Sequence, residues 1–196
     1  MIRNVAIALI ASGFIGGGAH AATLKVEDGQ LIGASGVEVD GTLYDVTFQD
    51  GSCNSLFDEC NPASFAFNDQ LGALAAASAL LDQVLIDSFA GPFDLVPSRT
   101  RGCSTTTFCE VYTPYSATAS NVELGIAVNA EALAFPSDFP YSFFNTSPAF
   151  DTFNTEATYA NWTLAPIPLP AGLPLLLTGL AGFAGLRLRQ KRKAQV

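Results

Sequence analysis

The chain is 196 residues long, 49% hydrophobic and only 14% charged, with 9 basic against 18 acidic side chains and a net charge of −9. All 18 acids fall between residues 22 and 165, where only Lys25, Arg99 and Arg101 are basic, so that segment alone carries −15. A surface this acidic repels phosphate backbones and anionic lipid headgroups, which excludes nucleic acid as a partner.

The N-terminus opens with Arg3, an apolar run from Val5 to Ile15, and small residues ending Ala19-His20-Ala21. A basic start, a short apolar stretch and an A-x-A site are the three parts of a secretory signal peptide, so residues 1–21 are expected to be removed after Ala21. A stable membrane anchor would need about 20 apolar residues, more than this run supplies.

Residues 22–165 have the length of one compact domain with a sizeable core. Val37 and Val39 lead into Asp40-Gly41, and Tyr44, Val46 and Phe48 alternate beyond it. Asp-Gly between alternating runs predicts a hairpin, because both central residues tolerate positive φ. Four cysteines follow, Cys53, Cys60, Cys103 and Cys109. An even count in an exported chain reads as disulfides, with three pairings open. Local pairing of Cys53 with Cys60 and of Cys103 with Cys109 is preferred, since each pair brackets a short stretch of turn-forming or polar residues. Zinc is disfavoured: the close C-x₂₋₄-C spacing is absent, and the only histidine, His20, leaves with the signal peptide.

Asn68 is expected to cap a helix running to about Asp87, with Leu71, Leu74, Ser78, Leu81 and Leu85 on one stripe and alanines raising its propensity. Val122, Leu124, Ile126 and Val128 alternate with Glu123, Gly125, Ala127 and Asn129, which predicts a half-buried strand. A cluster of rings comes next, Phe135, Phe139, Tyr141, Phe143, Phe144, Phe150 and Phe153, broken by Pro136, Pro140 and Pro148. The rings are expected to roll inward under a long loop, as large rings in small domains usually do; the competing reading is an exposed face for polysaccharide or a partner protein. Tyr159, Trp162 and Leu164 suggest a final strand. These elements make the fold class α+β: a small β-rich exported domain with one amphipathic helix. The sequons at Asn145 and Asn161 read as chance matches.

From residue 166 the chain becomes a proline stem, an apolar run and a purely basic end, Arg187, Arg189, Lys191, Arg192 and Lys193. Apolar residues followed directly by cations make a stop-transfer transmembrane helix with its basic end in the cytoplasm. Pro168, Pro170 and Pro174 keep a regular helix from starting before about Pro174. Residues 174–186 then span roughly 20 Å against a hydrocarbon core of about 30 Å, a mismatch that snorkelling arginines relieve only in part. Thr178, Gly182 and Gly185 leave one side of that helix smooth. A short anchor of this kind suits a temporary hold.

Ile167, Pro168, Leu169, Pro170 and Ala171, followed by Gly172-Leu173-Pro174 and the basic cluster, resemble the VPLPA-type C-terminal sorting signal, a variant of the PEP-CTERM class; Ile167 stands where the name motif has Val. The resemblance covers about the last 30 residues. It implies handling by an exosortase-like membrane peptidase, a Gram-negative host, and delivery of the processed protein to the cell surface or extracellular matrix. The stretch from Gly41 to Phe48 with Asp50-Gly51-Ser52-Cys53 also resembles exported domains that carry this tail, and implies no activity.

Catalytic motifs are lacking. Without histidine after residue 20, the Ser-His-Asp, Cys-His and histidine-metal chemistries miss a necessary part. There is no G-x-S-x-G elbow, Walker loop or EF-hand spacing. Asp45, Asp50 and Asp58 could bind calcium weakly, but turn and surface roles suit them better. The chain is therefore expected to be no enzyme and to need no cofactor or metal. Its expected role is a structural or adhesive surface protein, with extracellular polysaccharide as a candidate partner. The alternative is a secreted carboxylate-dependent hydrolase of matrix polysaccharide, since glycoside hydrolysis needs only two suitably spaced acids.

Overall fold

The computed structural model describes residues 21–131 and 137–166, with the side chains of Phe144 and Asn145 excepted. The signal-peptide run, Phe135 and Pro136, the sorting motif Ile167–Ala171, the expected membrane helix and the basic cluster Arg187–Lys193 lie outside those residues. The described part belongs, up to Leu164, to the first of two compact units. No helix among the described residues is long and apolar enough to cross a membrane.

In chain order the elements are β1 (Thr23–Glu27), β2 (Gln30–Val39), β3 (Thr42–Gln49), α1 (Cys53–Leu56), α2 (Gln70–Gln83), a small hairpin of β4 (Asp87–Ser88) and β5 (Gly91–Pro92), then β6 (Phe108–Ala117), β7 (Val122–Ala130), β8 (Phe139–Thr146) and β9 (Ala157–Leu164). Seven strands form one sheet in the order β1-β2-β3-β9-β6-β7-β8. Every pairing is antiparallel except β6 with β9. The domain is thus β-rich with a few helices, as the α+β expectation has it. The β2–β3 hairpin turns where Asp-Gly predicts, with φ of 47° at Asp40 and 78° at Gly41, the doubly positive pair that matches the twist of the flanking strands. The last strand also stands where Tyr159, Trp162 and Leu164 suggest it.

The helix departs from expectation in its cap, its end and its face. Asp69, not Asn68, is the N-cap: its backbone is extended and its carboxylate accepts from Gly72 N at 2.8 Å. The helix stops at Gln83, four residues early, because Val84 and Leu85 turn inward and both donate backbone N–H groups to Leu80 O. Nor does the leucine stripe face the core along the helix: Leu71 is 80% exposed, Leu74, Ser78 and Leu81 are only partly buried, and of the stripe Leu85, beyond the helix end, is buried. The buried residues are Ala73, Ala76, Ala77, Ala79 and Leu80, with Ala73, Ala76, Ala77 and Leu80 in one turn-spaced row.

Small residues on the sheet explain this choice. Beneath the helix β7 presents Gly125 and Ala127, and a Cβ placed on Gly125 would lie 2.6 Å from the backbone carbonyl carbon and oxygen of Ala73. Only an alanine face lets the helix settle that close; leucines turned inward would lift it off. For the same reason β7 is not half-buried. Val122, Leu124, Ile126 and Val128 enter the core on one face, while Gly125, Ala127 and Asn129 are buried under α2 on the other.

The sheet therefore carries a core on each side. The α2 side joins the alanine row to Val37, Val46, Phe48 and Val111, and ends in a nest of rings where Tyr44, Phe67 and Trp162 meet edge-on or tilted at 5.2–6.1 Å. The opposite side gathers Tyr112, Leu124, Ile126 and Tyr159 beneath Phe57 and the Cys53–Cys60 loop. That loop is tied to the segment before β9: Asn54 N donates to Pro148 O, Thr152 N to Gly51 O, and Gly51 N to Thr152 Oγ1.

Replacing Gly125 with Ala should cost roughly 1–3 kcal/mol by overpacking, whereas Leu71→Ala should stay within about 0.5 kcal/mol at its exposed position. Urea unfolding midpoints of the disulfide-intact protein check both.

Candidate functional site

The four cysteines close two local loops, Cys53–Cys60 and Cys103–Cys109, and no thiol is left free. Cys53, Cys60, Cys103 and Cys109 are all buried, so both crosslinks are part of the cores. The first holds a costly stretch of backbone: Asp58, Glu59 and Cys60 all have φ between 50° and 59°, a left-handed run that non-glycine residues rarely adopt in succession.

The acids singled out in the sequence do not converge. Asp45 Oδ1 accepts from Gly36 N at 3.0 Å, and its other oxygen lies 3.9 Å from Lys25 Nζ. Asp50 accepts from the Thr152 hydroxyl at 3.4 Å, and its carboxyl is held above the usual range by burial, with Asp151 adding to the shift and Thr152 and Arg101 opposing it. Asp58 sits in the left-handed turn. Among the described residues no group of three or more acid, histidine or cysteine side chains could hold a metal ion. Two acids do meet elsewhere. Burial raises the Asp94 carboxyl, and so do the nearby Asp138 and Asp87, with Asp138 in side-chain hydrogen-bond contact.

The polar cluster that sequence reading missed lies on the side of the sheet opposite α2. Glu110 and Tyr112 stand two residues apart on β6 and so share a face, and Tyr141 on β8 is the cross-strand neighbour of Ile126, itself opposite Tyr112. The Glu110 carboxylate accepts from both phenols, from Tyr112 at 2.8 Å and from Tyr141 at 2.9 Å. A row of rings runs back from it: Tyr112 meets Tyr159 edge-on at 5.5 Å, and Tyr159 meets Phe57 at 5.8 Å. Glu110 and Tyr112 at i and i+2 on a strand are an ordinary pattern; only the register with β8 makes a site of them, and no sequence signal carries that register.

The aromatic segment turns outward, against the expectation that its rings roll in. Phe139 is 42% exposed, Phe143 47%, Phe150 40% and Phe153 65%, with Tyr141 half-buried. The cause is topological: among the described residues β8 is the last strand of the sheet, and of its rings Tyr141 packs against the core that holds Cys53 and Cys60. Phe139, Tyr141 and Phe143 alternate on the face of Glu110, opposite Val128, Ile126 and Leu124, and the Phe139 and Tyr141 rings touch at 5.7 Å. Of the two sequons, Asn161 lies in β9 with its amide donated to Gln49 at 3.4 Å.

No protein-family model matches the chain, and neither do curated proteins or solved structures.

Burial, and then the Glu110 charge, raises the phenols of Tyr112 and Tyr141 well above the ordinary value of about 10. Burial pushes Tyr159 up to about 12; its hydroxyl lies near the Cys53 backbone, which opposes the shift without reaching full hydrogen-bond geometry. The unfolded chain thus loses these protons first. Their contribution to stability is fully present below about pH 10 and is lost as pH rises through the native values. Tyrosinate absorbance should show these phenols ionising together with loss of fold at alkaline pH, and Glu110→Gln should let Tyr141 ionise at lower pH. A smooth, reversible titration of all three near pH 10 with the fold intact would contradict the clamp.

Proposed function

We propose that this chain is an exported cell-surface or extracellular-matrix protein, structural or adhesive in role, whose precursor is held in the inner membrane by its C-terminal segment and released by an exosortase-like peptidase. The observation that carries the reading is the pair of buried disulfides in a domain with no histidine. Crosslinks of this kind persist outside the reducing cytoplasm, which agrees with the signal peptide at residues 1–21 and with the motif Ile167–Ala171 ahead of Arg187, Arg189, Lys191, Arg192 and Lys193. The closed cores on both faces suit a load-bearing or display role. The hydrolase alternative keeps one candidate, Asp94, whose carboxyl is raised by burial and by the nearby Asp138 and Asp87.

The motif precedes the membrane helix, on its exported side, within reach of an outward-facing peptidase. Replacing Pro168, Leu169 and Pro170 by alanines lets helix extend into the stem. The expected outcome in the native host is uncleaved protein trapped in the membrane fraction. Deleting residues 187–193 should instead weaken the stop signal, so that part of the protein passes through unprocessed. Fractionation and immunoblotting read both; triple-alanine protein released and trimmed like the parent would count against the proposal.

A further inference from the structure

We infer that the outer edge strand β8 is a binding platform for a linear polysaccharide that carries no anionic groups, an inference that deepens the adhesive reading and rests on it. Three rings at alternate positions, Phe139, Tyr141 and Phe143, lie on one face of a strand, which spaces them about 7 Å apart along roughly 14 Å. Two of them are nearly half-exposed, at 42% and 47%. Flat apolar rings in a row suit the C–H faces of successive sugar rings.

The polar chemistry at the platform is that of a hydroxyl acceptor. A carboxylate offers about four acceptor positions, and the half-buried Glu110 uses two of them on Tyr112 and Tyr141. The remaining lone pairs can take sugar O–H groups. The same two hydrogen bonds fix the Tyr141 ring and the carboxylate before any ligand arrives, which lowers the entropic cost of binding.

Charge and backbone chemistry narrow the ligand further. Strands β6, β7 and β8 contain no lysine or arginine. Two of the three cations of the 22–165 segment are engaged far along the sheet, Lys25 with Asp45 and Arg101 with Glu27 on β1. With no cation on these three strands to pair with a uronate or phosphate group, and with a segment charge of −15, polyanions are disfavoured. An extended peptide added to this edge is disfavoured by Pro140, which removes a backbone donor from the strand.

Affinity electrophoresis of the intact chain, in a polyoxyethylene detergent that contains no sugar, tests this with three polymers: a soluble neutral β-linked glucan, alginate and a polycationic amino-sugar polymer. The expected result is retardation by the neutral glucan that persists at high salt, whereas any retardation by alginate, which the cations Arg187 to Lys193 attract, is lost at high salt. Phe139→Ala and Phe143→Ala should each weaken it about tenfold, Phe143→Leu should also weaken it because the flat ring is lost, and Leu71→Ala should leave it unchanged. Circular dichroism of each variant should match the parent. The inference is overturned by absence of retardation in the neutral glucan, by alginate binding of equal strength at high salt, by retention on the cationic polymer alone that salt abolishes, or by retention that survives the ring substitutions. Because the assay does not depend on processing, its failure leaves the sorting reading standing, and failed processing leaves the assay standing.

Discussion

The structure depends on the close seating of α2 against β7. Where Gly125 faces Ala73 there is no room for even a methyl group, and the alanine row extends that contact along the helix. Burying short side chains yields less transfer free energy per residue than burying leucine, but it brings two backbones together and lets the longer groups around the contact, Leu80, Val84, Leu85 and Phe93, fill the remaining space as one core. With one face of the sheet sealed in this way, the other is free to be built from rings and a disulfide loop.

That division of labour places the candidate site. The Cys53–Cys60 loop belongs to the core of the second face, which reaches from Tyr159 on β9 to Tyr141 on β8. At the end of the sheet β8 keeps Phe139 and Phe143 partly exposed, and the Glu110 clamp sits at the boundary between the core and these rings. The clamp works from both sides of that boundary. The carboxylate satisfies the buried Tyr112 phenol, which would otherwise lack a partner, a costly state, and its second hydrogen bond holds the ring of Tyr141 at the edge.

Much of the architecture was legible in the residues. The Asp40-Gly41 turn, the alternation along β7 and the final strand each rest on short-range chemistry, and each stands where the pattern puts it. The local disulfides are the preferred one of the three pairings that four cysteines leave open. The helix face was not legible, because the stretch from Leu71 to Leu81 is apolar all round and periodicity cannot choose between its leucine and alanine sides. What decides is Gly125, more than forty residues later, through a contact that no local pattern encodes. The outward rings of β8 escaped for the same reason: strand order, not composition, leaves them at an edge. The Glu110 clamp depends on register across three strands and left no trace in the sequence.

The central claim is that this domain is made for the outside of the cell and arrives there without its tail. The most direct measurement is the intact mass of the protein recovered from the surface and medium of its native host, before and after reduction. The account predicts a chain that begins near Ala22, ends near the Ile167–Ala171 motif, lacks Arg187 to Lys193 and carries two internal disulfides. A membrane-resident chain that retains Val196, or one with four reduced thiols, would contradict it.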